Sequence, residues 1–279
     1  EQAMEYPACY ARVERLVRPE RERQKDAAAK NWWRFLRPRP ELLAAIGNLK
    51  YVVVMPRVTK DLQPARVTTE QVFADRLVVF VDDRTEFLGV LASAIHTTWA
   101  LRYGGTLETR PTYSPTDVFE NFPLPLDLAS IQGAAERMLE ARHSAMFADP
   151  SNPVGMTAAY GRLHAEANDE ATVRLRSAHL DLDQAVWAAY GFGSGDLKYG
   201  FFDSPQGTRW FLSDESRRIV LDRLLALNHE RHAEEVMAGT VDESGRPLNR
   251  RADTKKAVTA RAKSVDVQIG MFEVEGGDG

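Results

Sequence analysis

Cysteine is almost missing: Cys9 is the only one in 279 residues, which excludes an internal disulfide and a cysteine-based zinc site. Long apolar runs are missing too. No stretch approaches the roughly 20 consecutive apolar residues that a membrane helix needs, and no basic-then-apolar leader opens the chain. No membrane-spanning segment is expected, and a cytoplasmic location is. The chain starts at Glu1 rather than Met, with residues that already read as helix, and is expected to be a piece of something longer. An excess of positive charge is also lacking, since 36 Lys and Arg stand against 40 Asp and Glu for a net charge of −4. What is present is an ordinary globular composition, 44% hydrophobic and 27% charged, in a chain long enough to bury a sizeable core.

Apolar spacing gives the elements. Residues 4–30 read as helix, with Tyr10, Val13, Leu16 and Val17 apolar and Pro19 either kinking the pattern or opening a new turn. Trp32 and Trp33 read as core packing. Pro40 and Glu41 suit the first turn of a short helix over residues 41–46, ended by Gly47. Two β-branched runs, residues 50–55 and 77–81, read as strands, and residues 57–69 as a loop or short edge strands. Phe87, Leu91, Ala94, Ile95, Thr98 and Trp99 recur on one face of an amphipathic helix over residues 85–103. That helix is expected to stop at Gly104-Gly105 in the left-handed conformation. A polar extended segment follows, and the small mixed domain closes near Pro125.

Beyond Pro125 the texture turns helical, over residues 126–148, 157–167, 170–190 and from the N-cap Ser213 to about 238. Residues 239–279 are polar and nearly aperiodic and are expected to be largely disordered, with one short strand or docking segment somewhere in 265–274. The fold class is therefore α+β: a small mixed-sheet domain (1–125), a mostly α-helical C-terminal domain (126–238) and a tail (239–279).

Catalytic signals are decoys. Gly191 to Gly195 is glycine-rich but follows a helix rather than a strand, so it reads as a helix-ending turn, not a nucleotide loop. His229 and His232 are three apart, one residue short of the zinc-protease spacing. Asp181 and Asp183 point apart on a helix, and Ser114 has no evident His and Asp partners. No catalytic or metal-binding residue is assigned.

Several ordered blocks in the first half carry a resemblance. They are Asn31-Trp32-Trp33-Arg34, Phe87-Leu88-Gly89-Val90-Leu91, Ser93-Ala94-Ile95-His96, Trp99-Ala100, Thr112-Tyr113-Ser114-Pro115-Thr116-Asp117-Val118-Phe119 and Phe122-Pro123-Leu124-Pro125. Together they resemble the target-recognition region of large adenine-specific DNA methyltransferases, especially fused restriction-modification enzymes of the MmeI kind and some phage-defence methylases. The helix with Leu227-Asn228-His229-Glu230-Arg231 is similar to the tail that follows this region in some relatives. The resemblance implies a DNA sequence-recognition portion that positions duplex DNA for a catalytic domain lying elsewhere in the parent chain. It implies S-adenosylmethionine as that parent's cofactor, with none bound by this piece. The family's base-gripping tetrapeptide, Asn or Asp followed by Pro-Pro-Tyr or Pro-Pro-Phe, does not occur in this sequence.

Reading base edges takes Arg, Lys, Asn, Gln, Ser or Thr on a rigid support. Arg57, Lys60, Gln63 and Arg66 follow the first strand. Arg102 and Tyr103 end the central helix, and Thr106, Glu108, Arg110, Tyr113, Ser114 and Thr116 come next. Arg57, Lys60, Arg66, Arg102 and Arg110 are the expected base selectors, with Tyr103, Tyr113 and Ser114 aiding position; Glu108 suits a cytosine amine. Basic charge gathers ahead of this stretch. Residues 1–70 carry 14 basic and 9 acidic groups (+5), residues 71–122 carry 4 and 7 (−3), and the remainder carries 18 and 24 (−6). Local fields, not the total, steer a polyanion. The expected partners are double-stranded DNA, the parent's methyltransferase domain and defence-system subunits. The alternative is an interaction module whose acidic helices after Leu126 dock a partner protein.

Overall fold

The computed structural model describes residues 2–23, 30, 32–33, 39–193, 197–243, 245, 248 and 270–272. Expectations for residues 24–29 and for most of the tail fall outside the described residues. Two compact units divide the chain, residues 1–47 and 48–279.

In the first unit a short turn, Gln2–Glu5, leads into α1 (Pro7–Leu16), α2 (Arg18–Arg21) and α3 (Pro40–Ile46). Each helix carries a proline in its first turn, where the missing N–H would have had no helical partner anyway. Pro19 therefore opens a helix instead of kinking one. Trp32 is buried, its ring 5.5 Å from Tyr10 and 5.6 Å from Trp33. Its reading as packing holds, while Trp33 stays exposed.

The second unit is built on an antiparallel sheet of β1 (Tyr51–Pro56), β2 (Ala65–Thr68), β3 (Leu77–Val81) and β8 (Gly270–Phe272), in the order β2-β1-β3-β8. The register sets Val53 opposite Phe80 and Met55 opposite Val78. Residues two apart share a face, so these four side chains line one side and enter the main core. Phe80 meets Phe87 at 5.8 Å and Phe119 at 5.0 Å. The tail strand foreseen within residues 265–274 is β8, paired with β3.

The helical layer against this face starts with α4 (Thr85–Ala92) and α5 (Ala94–Tyr103). One helix over residues 85–103 is the expectation from periodicity; the structure breaks it at Ser93, whose ψ of 154° is extended. The cause is capping. Ser93 Oγ accepts from His96 N at 3.1 Å and donates to Val90 O at 2.6 Å, inside the core. Ser93→Ala should cost about 1–2 kcal/mol, read as a lower urea midpoint at unchanged slope.

Next come a π-turn (Pro115–Phe119), a 3-10 turn (Ala129–Ile131), α6 (Gln132–Met146), α7 (Met156–His164) and α8 (Glu170–Ala189). Helix α4 packs on α6 and α6 on α8. Gly89 permits the first contact: a Cβ there would lie 2.7 Å from Ala135 Cβ and 3.2 Å from Leu182 Cδ1. The core thus draws on residues from both sides of Pro125. The glycines at 191 and 193 end α8 with φ of +70° and +78°, a helix-terminating turn. A hairpin then intervenes, β6 (Tyr199–Ser204) and β7 (Gly207–Leu212), before α9 (Asp214–Met237), which Ser213 caps. The hairpin fills residues to which the helical pattern after Pro125 assigned no element. Among the described residues no helix is long and apolar enough to cross a membrane.

Candidate nucleic-acid interface

Helix α5 delivers the chain to a small ribbon, β4 (Gly105–Leu107) and β5 (Arg110–Thr112), with Leu107 opposite Arg110. Gly104 joins the two with φ of −75°, so the expected left-handed stop is wrong. Glycine is needed there for room: a Cβ would lie 2.6 Å from both Ala100 O and Thr112 O. At the tip Glu108 takes a positive φ of 59°, as tight hairpin turns demand. Its carboxylate accepts from Arg110 Nη2 at 2.9 Å, and the two side chains are 74% and 41% exposed.

The loop after β1 lies alongside this arm. Val58 bridges Thr112, Thr59 N donates to Pro111 O at 3.3 Å, and Tyr113 N donates to Arg57 O at 2.7 Å. Candidates far apart in sequence, Arg57 and Lys60 from the loop and Thr106, Glu108 and Arg110 from the arm, are thereby brought together. Tyr103 packs on Trp99 at 4.2 Å, and the exposed Arg102 sits over the Tyr103 ring at 5.6 Å. Ser114 Oγ and Thr116 Oγ1 are 3.1 Å apart at the start of the π-turn. Arg66 belongs to the sheet edge instead. It is opposite Val53, donates to Thr85 Oγ1 at 3.2 Å and lies 5.4 Å from the centre of the Tyr51 ring.

Two candidates are engaged within the fold. Tyr113 is 1% exposed, and its hydroxyl lies 3.0 Å from His96 Nε2, while His96 Nδ1 lies 3.0 Å from Leu91 O. A carbonyl only accepts, so Nδ1 carries the proton and Tyr113 donates to Nε2. Burial, partly offset by the Leu91 bond, pushes His96 down to about 4, and burial pushes the Tyr113 phenol up. Tyr113 is a core strut between β5 and α5. Gln63 is likewise engaged internally: its Oε1 accepts from Arg142 Nη2 at 2.7 Å and its Nε2 donates to Ala92 O at 3.4 Å. The buried Arg142 also donates to Pro64 O at 2.8 Å and Tyr160 Oη at 3.0 Å. The aromatic or amide type alone did not separate these two from surface readers.

The β6–β7 hairpin adds residues that sequence reading passed over. Arg209 Nη1 donates to Asp61 Oδ1 at 2.7 Å, and Gln206 Nε2 donates to the Thr109 carbonyl at the arm's tip. A cleft of about 110 Å³ lies under this hairpin, with Asp61, His164, Asp183 and Trp210 among its walls. The signal for the hairpin was the aromatic run on either side of Ser204-Pro205-Gln206-Gly207. Asp183 is fully buried there: Oδ1 accepts from Ala94 N at 2.7 Å, and Oδ2 accepts from Tyr199 Oη. His229 and His232 lie on α9 and, among the described residues, belong to no group able to hold a metal.

The whole arm and its neighbouring loop lie within the part of the chain that matches a family model. Residues 1–126 match the family model of the MmeI target recognition domain. All twelve candidate readers fall in the matched target recognition segment. A solved structure, that of the Type IIL restriction-modification enzyme MmeI in complex with DNA, is similar to 80% of this chain at 20% identity with a TM-score of 0.54. The likeness extends the shared fold past the target recognition segment into the helices that follow. This chain spans 26% of the MmeI chain. No curated protein matches the sequence.

Proposed function

We propose that the chain reads base sequence on duplex DNA through the β4–β5 arm and so selects where a methyl-transferring neighbour acts. One observation carries the reading: the solvent-exposed Glu108–Arg110 pair at the arm's tip, inside the matched target recognition segment. Arginine donates in a fork to guanine O6 and N7, and a carboxylate accepts from the cytosine amine, so the two side chains together suit the edges of one G·C pair. Lys60 and Arg102, both exposed, supply phosphate contacts that fix the register. Arg57, Thr106, Ser114 and Thr116 supply further contacts. The methyltransferase domain and its S-adenosylmethionine belong to the parent protein, and no catalytic role falls to this chain. MmeI was solved with DNA bound, which supports duplex DNA as the partner.

Titration with random-sequence duplex at rising salt tests the reading. Log affinity should fall linearly with log salt, by about 0.9 per neutralised phosphate, and Lys60→Ala should lower that slope by about 1. A flat salt profile would overturn the proposal in favour of docking on a partner protein.

A further inference from the structure

We infer that the β6–β7 hairpin, which follows the matched segment, is the positioning element of the reading arm, with Gln206 and Arg209 governing base selectivity without touching DNA. The inference rests on the reading of the arm given above. The arm is only two strands of three residues each, and every β4 residue is exposed. A two-stranded ribbon is marginal in water by itself, so the direction of its tip has to come from contacts outside it. At its base the loop after β1 supplies these contacts through Thr59 and Arg57. At its tip the contact comes from the other hairpin, where Gln206 Nε2 donates to the carbonyl of Thr109, the residue between Glu108 and Arg110.

Arg209 anchors the same hairpin to the loop. Its Nη1 donates to Asp61 Oδ1 at 2.7 Å and its Nη2 to the Lys60 carbonyl at 3.3 Å, while His164 Nε2 donates to the same Asp61 oxygen at 3.0 Å. The Arg209 and Asp61 side chains are 15% and 12% exposed. Burial pushes the Asp61 carboxyl up, but the His164 bond and the Arg209 charge outweigh it and hold the group below the usual carboxylate range. The hairpin is thus tied at one end to a shielded ion pair and bears at the other on the arm's tip. Base readout tolerates displacements of only about 0.5 Å. Flexible lysine and arginine contacts to phosphate tolerate more, so a loosened tip loses selectivity before it loses affinity.

Selection from randomised duplexes by the full chain, as wild type, Gln206→Ala, Arg209→Met and Arg110→Ala, tests this. Arg110→Ala should erase the preference at one base pair. Gln206→Ala and Arg209→Met should weaken that same preference on the order of tenfold, with random-duplex affinity within about twofold of wild type. Arg209→Met strips the shielded Asp61 of its cation and puts the local fold at risk; Gln206→Ala removes one hydrogen bond and decides the matter alone. A wild-type profile for Gln206→Ala beside a flattened one for Arg110→Ala overturns the inference and leaves the reading of the arm intact. Equal losses of random-duplex affinity and preference would mark a merely structural role and overturn it as well. An unchanged profile for Arg110→Ala overturns the reading itself.

Discussion

Replacing Arg110 by Ala is expected to cost about 1–3 kcal/mol of discrimination at one base pair, roughly one to two decades of preference at 1.4 kcal/mol per decade. The free protein holds Arg110 against Glu108 at 2.9 Å in solvent. An exposed ion pair of this kind is worth about 0–1 kcal/mol, so its release onto a base pair costs little. The pair keeps the guanidinium oriented and holds the carboxylate next to it, which suits a donor and an acceptor meeting the two halves of one pair. Glu108→Ala should weaken the same preference less, because Arg110 keeps its own donors. Competition between duplexes that differ at a single pair measures both effects. If the ranking of duplexes is the same in Arg110→Ala as in the wild type, Arg110 is not a reader.

Asp183→Ala is expected to destabilise the fold by about 3 kcal/mol or more, because it strands two buried donors, the Ala94 N–H and the Tyr199 O–H, at about 1–3 kcal/mol each. It also removes a carboxylate from the N-terminus of α5, where the helix dipole favours negative charge. Asp183→Asn should cost little, since an amide oxygen accepts from Ala94 and the amide nitrogen donates to a reoriented Tyr199 hydroxyl. The two variants also separate by pH. Burial pushes Asp183 up to about 7, against the bonds from Tyr199 and Ala94 that favour its ionised form. A raised folded-state value means that this contribution is fully present below the unfolded carboxylate range near 4 and is lost as pH rises through about 7. Asp183→Asn should therefore gain stability relative to wild type on going from about pH 5 to about pH 8.

Two buried histidines act in the opposite sense. Burial lowers His96 to about 4, and burial with the Arg142 charge lowers His179 to about 3. Their contribution is present above the unfolded histidine value of about 6.5 and is lost as pH falls through these values. Urea unfolding at the two pH values checks the Asp183 prediction. An identical stability difference between Asn variant and wild type at both would contradict the assignment of a raised Asp183.

Much of the sheet and the helices was legible because local signals agreed with tertiary demands. The β-branched run at residues 77–81 is strand β3, and Ser213 caps α9 as its position before Asp214 and Glu215 suggested. The break at Ser93 was hidden because apolar spacing continues smoothly through it; only the serine's capping bond to His96 N stops one helix and starts another. Gly104 showed that glycine marks the right boundary for a different reason, backbone crowding and not handedness. In the site, the candidates on the 57–60 loop and on the arm were chosen by residue type, but backbone bonds set the two side by side, and the fates of Tyr113 and Gln63 depended on partners 17 and 79 residues away. Pairings at that separation leave no local pattern. The same holds for Asp183, which by spacing is one of two acids pointing apart on a helix and in the structure is the buried acceptor for the first N–H of α5.

Guanine N7 lies in the major groove, so methylation protection of a selected duplex bound by the full chain tests the central claim most directly. Shielding of one guanine N7 by the wild type is expected, with that guanine alone becoming reactive again in the complex with Arg110→Ala. Guanines that stay equally reactive in free and bound duplex, or a protection pattern that Arg110→Ala leaves unaltered, would contradict base reading by this arm.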